Sequence, residues 1–237
     1  QLSPVVWQQA LQPCCTQATI CWTLADLAGD LAVVVHGEGD CLNSFFHHLG
    51  RSTARFYSTR LSDQQLITGA TATPLRHLLE LLAREARPEA VLVLGTCPVE
   101  MIGDPFEAVV QEVSEQSGVP MVALRTHGLS LTSQAECQDW LHETLAGLLQ
   151  LEEPVAASCN FLGLPGADHH VELEGVAARL GMSVNGFYPN GSSLRAWQTI
   201  SHAETTFVID REMFPRLLDR LSGWGQRLVD VPMPVGL

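Results

Sequence analysis

The sequence predicts an α/β protein made of tandem Rossmann-like units, each a parallel sheet flanked by helices. Two observations carry the prediction. Short aliphatic runs without charge, Leu31-Ala-Val-Val-Val-His36 and Val91-Leu-Val-Leu-Gly95, read as strands buried on both faces, as parallel strands are. They alternate with amphipathic stretches of helical length, and glycine or proline punctuates the joins, as at Gly37, Gly39, Pro88 and Gly95.

In order, Trp7 to Leu27 carries Gln12-Pro-Cys-Cys-Thr16, a loop feeding a helix over Ala18 to Leu27. The strand ending at His36 runs into the turn Gly37-Glu-Gly-Asp-Cys41. Pro74 to Arg87 places Leu75, Leu78, Leu79 and Leu82 on one helical face. The strand ending at Gly95 delivers Thr96 and Cys97 into a loop, and Asp104-Pro105 reads as an N-cap with an N1 proline for a helix over Phe106 to Ser117. Met121 to Leu124 is a short strand, and Ser133 to Leu149 a helix capped at Thr132 or Ser133. Leu149-Gln-Leu-Glu-Glu-Pro154 marks a boundary between a first unit, residues 1–152, and a second, residues 153–237. Beyond it come strands over Val155 to Leu162, Val184 to Phe187 and Thr205 to Ile209. Helices over His170 to Leu180, Ser193 to Ile200 and Met213 to Leu221 alternate with them.

Composition narrows the function. With 46% apolar and 16% charged residues over 237 positions, the chain has enough apolar content for a sizeable core. A formal charge of −13 disfavours nucleic acid and leaves no polybasic membrane patch, while suiting a partner with a basic face. No run approaches the ~20 apolar residues of a bilayer span, and the first residues lack a signal-peptide pattern, so the expected compartment is the cytoplasm. Gly37-Glu-Gly39 lacks the third glycine of a dinucleotide fingerprint and no phosphate-binding Gly-Lys-Ser/Thr loop occurs, so no nucleotide is expected on this chain.

The chemical signal lies in the cysteines: Cys14, Cys15, Cys21, Cys41, Cys97, Cys137 and Cys159. None forms a Cys-x-x-Cys pair, so a metal site must be assembled from distant loops. Cys41 and Cys97 follow strand ends in successive units, and Cys14 or Cys15 sits in a third loop. Such a trio reads either as buried small hydrophobes or as thiolate ligands of an iron-sulfur cluster or soft metal. Cys21, Cys137 and Cys159 fall inside apolar or helical runs and read as packing residues. Asp40 is either a turn former or a carboxylate that tunes or completes a site. The pairs His47-His48 and His169-His170 are weaker ligand candidates, because adjacent helical residues point in different directions.

Cys15, then Cys41 in His36-Gly-Glu-Gly-Asp-Cys41, then Gly95-Thr-Cys-Pro-Val-Glu-Met-Ile-Gly-Asp104, resemble the component 1 subunits of nitrogenase and the nitrogenase-like reductases. Arg55 to Gly69 looks like the segment joining these units, and Gly118 to Leu129 is similar to a strand and loop of light-independent protochlorophyllide reductase. The resemblance implies that Cys15, Cys41 and Cys97 hold half of an eight-iron P-cluster or a 4Fe-4S cluster. Cys14 and Asp40 are then additional or alternative ligands, with His36, Gly37, Gly95 and Thr96 close by. It implies electron delivery by an ATP-dependent iron-sulfur reductase, relay to a substrate or larger cofactor, and a homologous partner subunit, in an α2β2-type assembly or a homodimer, sharing the cluster. A cofactor-assembly scaffold and a non-redox bilobed protein that binds a metal complex or tetrapyrrole are the alternatives. The sequence departs from the family where Pro105 replaces a second acid, and where Asp210 stands at the position of a cofactor-anchoring cysteine in the catalytic nitrogenase subunit. That departure points to a β-type, scaffold or tetrapyrrole-reductase-like subunit. The end at Leu237 falls in a βα connection, as expected of a partial or shortened relative.

Overall fold

The computed structural model describes residues 15–25, 30–43, 55–126, 134–147, 153–164, 169–189 and 194–232. They form two compact units, dividing between residues 132 and 133.

The first unit contains α1 (Thr16–Ala25), β1 (Leu31–His36), a helical turn over residues 39–43, β2 (Arg55–Ser58), α2 (Asp63–Thr68) and α3 (Ala72–Leu81). A π-helical turn, Leu82–Ala86, extends α3, and β3 (Ala90–Gly95), α4 (Cys97–Met101), α5 (Phe106–Ser117) and β4 (Met121–Arg125) follow. All its strands pair in parallel, in the order β2-β1-β3-β4. Every residue of β1 and β3 is buried, as the uncharged aliphatic runs required. Leu75, Leu79 and Leu82 pack with Phe106, Val109, Val110 and Val113 against Ala32, Val34, Val91 and Val93. The spacing of those four α5 residues keeps them on one stripe, and Gly118 closes the helix in the left-handed conformation at φ 71°.

Local chemistry moved three expectations. The loop expected after Cys97 is the short helix α4, because the first N–H groups of a helix have no partner and Pro98 therefore fits at its start. Asp104 does not cap α5; Pro105 occupies the cap position without a side-chain bond, and the Asp104 carboxylate is buried instead. Arg55 to Gly69, read only as a joining segment, contains edge strand β2 and helix α2. Ser62 and Gln65 form a reciprocal capping box at the start of α2, and Gly69 closes it at φ 70°.

The second unit comprises α6 (Gln134–Gly147), β5 (Val155–Leu164), α7 (His170–Arg179), β6 (Ser183–Pro189) and α8 (Leu194–Gln198). A 3-10 turn (Ile200–His202), β7 (Ala203–Val208), α9 (Pro215–Gly223) and β8 (Arg227–Asp230) complete it. Its sheet is again parallel, in the order β6-β5-β7-β8. Buried Asn160 anchors it: the amide donates to the Ile200 carbonyl at 2.8 Å and to Thr206 Oγ1 at 3.1 Å, and its oxygen accepts from Asn185 at 2.8 Å. The boundary expected at 152–153 falls earlier, because α6 packs with the second unit. The Asp139 carboxylate accepts the N–H groups of Arg216 (3.0 Å) and Leu217 (3.3 Å) at the start of α9, Glu143 pairs with Arg220, and His142 stacks on Trp197. Among the described residues, no helix is long and apolar enough to cross a membrane.

Candidate metal centre

Chain order reverses direction across the first sheet: from β1 the chain goes outward to β2, then returns to the other side of β1 as β3. Open parallel sheets take ligands at such a switch point, beyond the carboxyl ends of the strands. Here those ends are His36 and Gly95, which are register partners. The loops that carry Cys41 and Cys97 therefore leave the sheet side by side.

Two glycines permit that closeness. A Cβ on Gly37 would stand 2.0 Å from Thr96 Oγ1, and one on Gly95 would stand 2.9 Å from Phe106 Cζ. Gly37→Ala should therefore destabilise the fold by about 1–3 kcal/mol, the usual cost of overpacking. The check is the denaturant midpoint beside that of Gly118→Ala, whose added Cβ meets open space but shares the strain of a positive φ. At Gly39, Arg60 Nε would lie 3.2 Å from a Cβ, so the glycine lets the Arg60 side chain cross the loop. Arg60 itself holds a left-handed backbone, at φ 50°.

Electrostatics link the three predicted thiols. Cys15 is exposed, and Cys41 and Cys97 are half-buried. Burial pushes the Cys41 thiol up to about 11, helped by the charges of Glu38, Cys15, Cys97 and Asp40. Burial likewise raises Cys97, with Cys15 and Glu100 adding to it. Cys15 thus acts electrostatically on both other thiols, and Cys41 remains protonated at neutral pH in the metal-free chain. Asp40 is exposed and within electrostatic reach of Cys41. Cys14 lies outside the described residues, as do His47 and His48.

Behind the thiols is a dry polar floor. His36 and Asp104 are 0% and 5% exposed, and His36 Nε2 lies 3.5 Å from Asp104 Oδ2, with neither atom completing a hydrogen bond. Burial lowers the His36 pKa, while Asp104 pulls it back up. His36 Nδ1 lies 3.2 Å from Thr59 Oγ1, which also accepts the Gly37 N–H at 3.0 Å. Thr96 donates its backbone N–H to the His36 carbonyl at 3.0 Å and its hydroxyl to Glu38 at 3.4 Å. Phe106 lies between His36 (centroids 5.6 Å apart) and the Arg125 guanidinium, 5.2 Å from its ring centre. Arg125 in turn holds Glu107 and the Asp104 carbonyl.

The donor set suits a cluster better than one ion. Among the described residues, no three His, Cys, Asp or Glu side chains close around a single metal ion. Cluster thiolates each bind a different iron and are spread more widely, in keeping with thiols that act on one another without converging. Of the other cysteines, Cys21, Cys137 and Cys159 are buried at 0%, 1% and 0% exposure, as expected of packing residues, and none of the described cysteines forms a disulfide. His170 stacks on Phe187 with centroids 3.9 Å apart. Thr59, Arg60 and Asp104 escaped the sequence reading as site residues. Recognising β2 as a strand would have placed Thr59 at the same sheet edge as His36, since Val35 pairs with Ser58.

Fold and site define an α/β protein of two parallel sheets, with cysteine-bearing loops beyond the paired strand ends at its first switch point. Sequence comparison matches residues 16–237 to the family described as nitrogenase component 1 type oxidoreductase, and the chain belongs to that family. It is 31% identical over 112 residues to the nitrogenase iron-molybdenum cofactor biosynthesis protein NifE of Klebsiella pneumoniae, an alignment covering 45% of this chain and 24% of that protein. Identity to the nitrogenase molybdenum-iron protein alpha chain of Methanosarcina barkeri is 28% over 93 residues, covering 38% and 18%. The solved structure of nitrogenase Cp1 at pH 6.5 superposes with a TM-score of 0.77 at 20% identity, over 92% of this chain and 45% of that one, a likeness of fold. The matched regions thus span less than half the length of these relatives.

Proposed function

We propose that this chain is an iron-sulfur subunit of a nitrogenase-like oxidoreductase, with Cys15, Cys41 and Cys97 as the cluster ligands. What supports the reading is that Cys41 and Cys97 follow strand ends paired at the switch point of the first sheet, with Cys15 within electrostatic reach of both. When bound, a 4Fe-4S or half P-cluster supplies a one-electron relay. The residues of this chain would supply three thiolates, exclude water from the inner side through β1 and β3, and leave the outer side open. Met101 and Ile102, at the end of the short helix that Cys97 begins, are exposed at 71% and 46%. Apolar side chains next to an incomplete ligand set suit a homologous subunit that adds the fourth ligand, with Asp40 or Cys14 as the ligands from within. Electrons would come from a separate ATP-dependent iron-sulfur reductase. The cytoplasm, a reducing compartment, suits thiol ligands.

Anaerobic reconstitution with ferrous iron and sulfide tests this reading. A brown protein with about four irons per site is expected; a colourless, iron-free chain of intact secondary structure would favour the non-redox binding protein instead. A cofactor-assembly role has its own support, since Asp210 is not a soft ligand and one relative is a cofactor biosynthesis protein. Transfer of the bound cluster to an acceptor protein would mark a scaffold, and retention through repeated reduction a relay.

A further inference from the structure

We infer that buried His36 and Asp104 and half-buried Thr59 form a positioning chain that sets the spacing of Cys41 from Cys97. The inference deepens the proposed site, resting on that reading only for the use to which the thiols are put.

Two buried polar atoms, His36 Nε2 and Asp104 Oδ2, have only each other as partners among the described residues, at a long 3.5 Å beside the end of β1. Leaving such groups in a dry floor is costly unless they do something there. The carboxylate favours one tautomer: with Nε2–H directed at Asp104, Nδ1 accepts a hydrogen bond from the Thr59 hydroxyl at 3.2 Å, a proton for which the Gly37 carbonyl competes at 3.3 Å. The Thr59 oxygen is then free to accept the Gly37 N–H at 3.0 Å. Asp104 is thereby connected, through an imidazole and a hydroxyl, to the backbone of the first residue after β1.

Gly37 has few other anchors. Its carbonyl accepts the Leu61 N–H at 2.8 Å, and without a side chain it rests against Thr96, whose Oγ1 stands where a Cβ would be. Thr96 immediately precedes Cys97, and Gly37 precedes Cys41 by four residues. Holding Gly37 therefore fixes both cysteine loops at their point of contact. His36, Asp104 and Thr59 are positioning residues that act through the backbone, not ligands.

The test uses the full chain, free of metal. Dibromobimane becomes fluorescent when two nearby thiols displace both bromides, and peptide mass mapping identifies the bridged pair. Thr59→Val keeps the shape and removes the hydroxyl; Thr59→Ser keeps the hydroxyl. Thr59→Val should slow Cys41 to Cys97 bridging about tenfold while single alkylation of Cys97 by monobromobimane is unchanged, and Thr59→Ser should bridge at the parent rate. Asp104→Asn should reproduce Thr59→Val, and the double variant should be no slower than either alone, as for members of one unit. Parent-rate bridging in Thr59→Val, or equal slowing in Thr59→Ser, overturns the inference. Circular dichroism keeps a misfolded variant from being scored. Iron uptake is measured separately, so a parent chain that bridges normally yet takes no iron defeats the cluster reading and leaves the positioning chain standing.

Discussion

Cys97→Ala is expected to empty the candidate centre of iron while leaving the fold intact. The thiol is half-buried at the start of α4, where alanine is a good helix former, so the loss of stability should be within about 1 kcal/mol. One of three thiolates is then gone, and a cluster with only two protein ligands should not survive gel filtration. Cys159→Ala provides the contrast. That side chain is fully buried in the core of the second unit with Phe161, Leu164, Leu173 and Ala177, and its removal should cost about 1–2 kcal/mol with iron content unchanged. Iron per chain and the thermal midpoint, measured on both variants after identical anaerobic loading, separate ligand from filler. Parent-level iron in Cys97→Ala would place that thiol outside the centre.

Acid should weaken the second unit through one residue, His142. Its ring is fully buried between Trp197 (centroids 5.1 Å apart) and Phe214 (5.2 Å), with the Gln138 backbone as the one polar group acting on it among the described residues. Burial pushes its pKa down to about 3, offset only weakly by the Gln138 backbone. The folded pKa thus lies below the unfolded value of 6.5. Above 6.5 the imidazole is neutral in both states and stability is unaffected. Below it the unfolded chain takes a proton that the folded chain refuses, so stability falls by ~1.4 kcal/mol per pH unit, about 5 kcal/mol in total as pH approaches 3. That is a large share of the ~5–15 kcal/mol typical of a whole domain. His142→Phe keeps a flat ring against Trp197 and removes the titration. Urea midpoints between pH 7 and pH 4 should fall less steeply in the variant by about one proton's slope, and parallel curves would show that His142 does not titrate on unfolding.

What the sequence disclosed follows from what each residue must bury. β1 and β3 were legible because both faces are covered, which leaves an uninterrupted aliphatic signature. β2 and β8 were not, since edge strands of sequence Arg-Phe-Tyr-Ser and Arg-Leu-Val-Asp are only half-covered and alternate no differently from a loop. Cys41 and Cys97 could be placed because a cysteine just beyond a buried strand has only one edge to occupy. Asp104 could not: Gly-Asp-Pro is ordinary helix-start chemistry, and only the tertiary pairing of His36 with Asp104 diverts the carboxylate inward. The early boundary at Ser133 was hidden for the same kind of reason, because a helix is assigned to a unit by what its face touches, and Asp139 finds its partners across 77 residues of sequence.

Both sheets repeat one winding scheme, each with its own reversal between the first and third of its strands. At the second reversal the approach is again close, since a Cβ on Gly163 would stand 2.9 Å from the Asp210 backbone nitrogen. Yet the second residue beyond β7, Asp210, is a carboxylate whose Oδ1 accepts the Glu212 N–H at 3.1 Å. Like backbone reversals within one polypeptide thus present different side chains, thiols beyond the first and a carboxylate beyond the second.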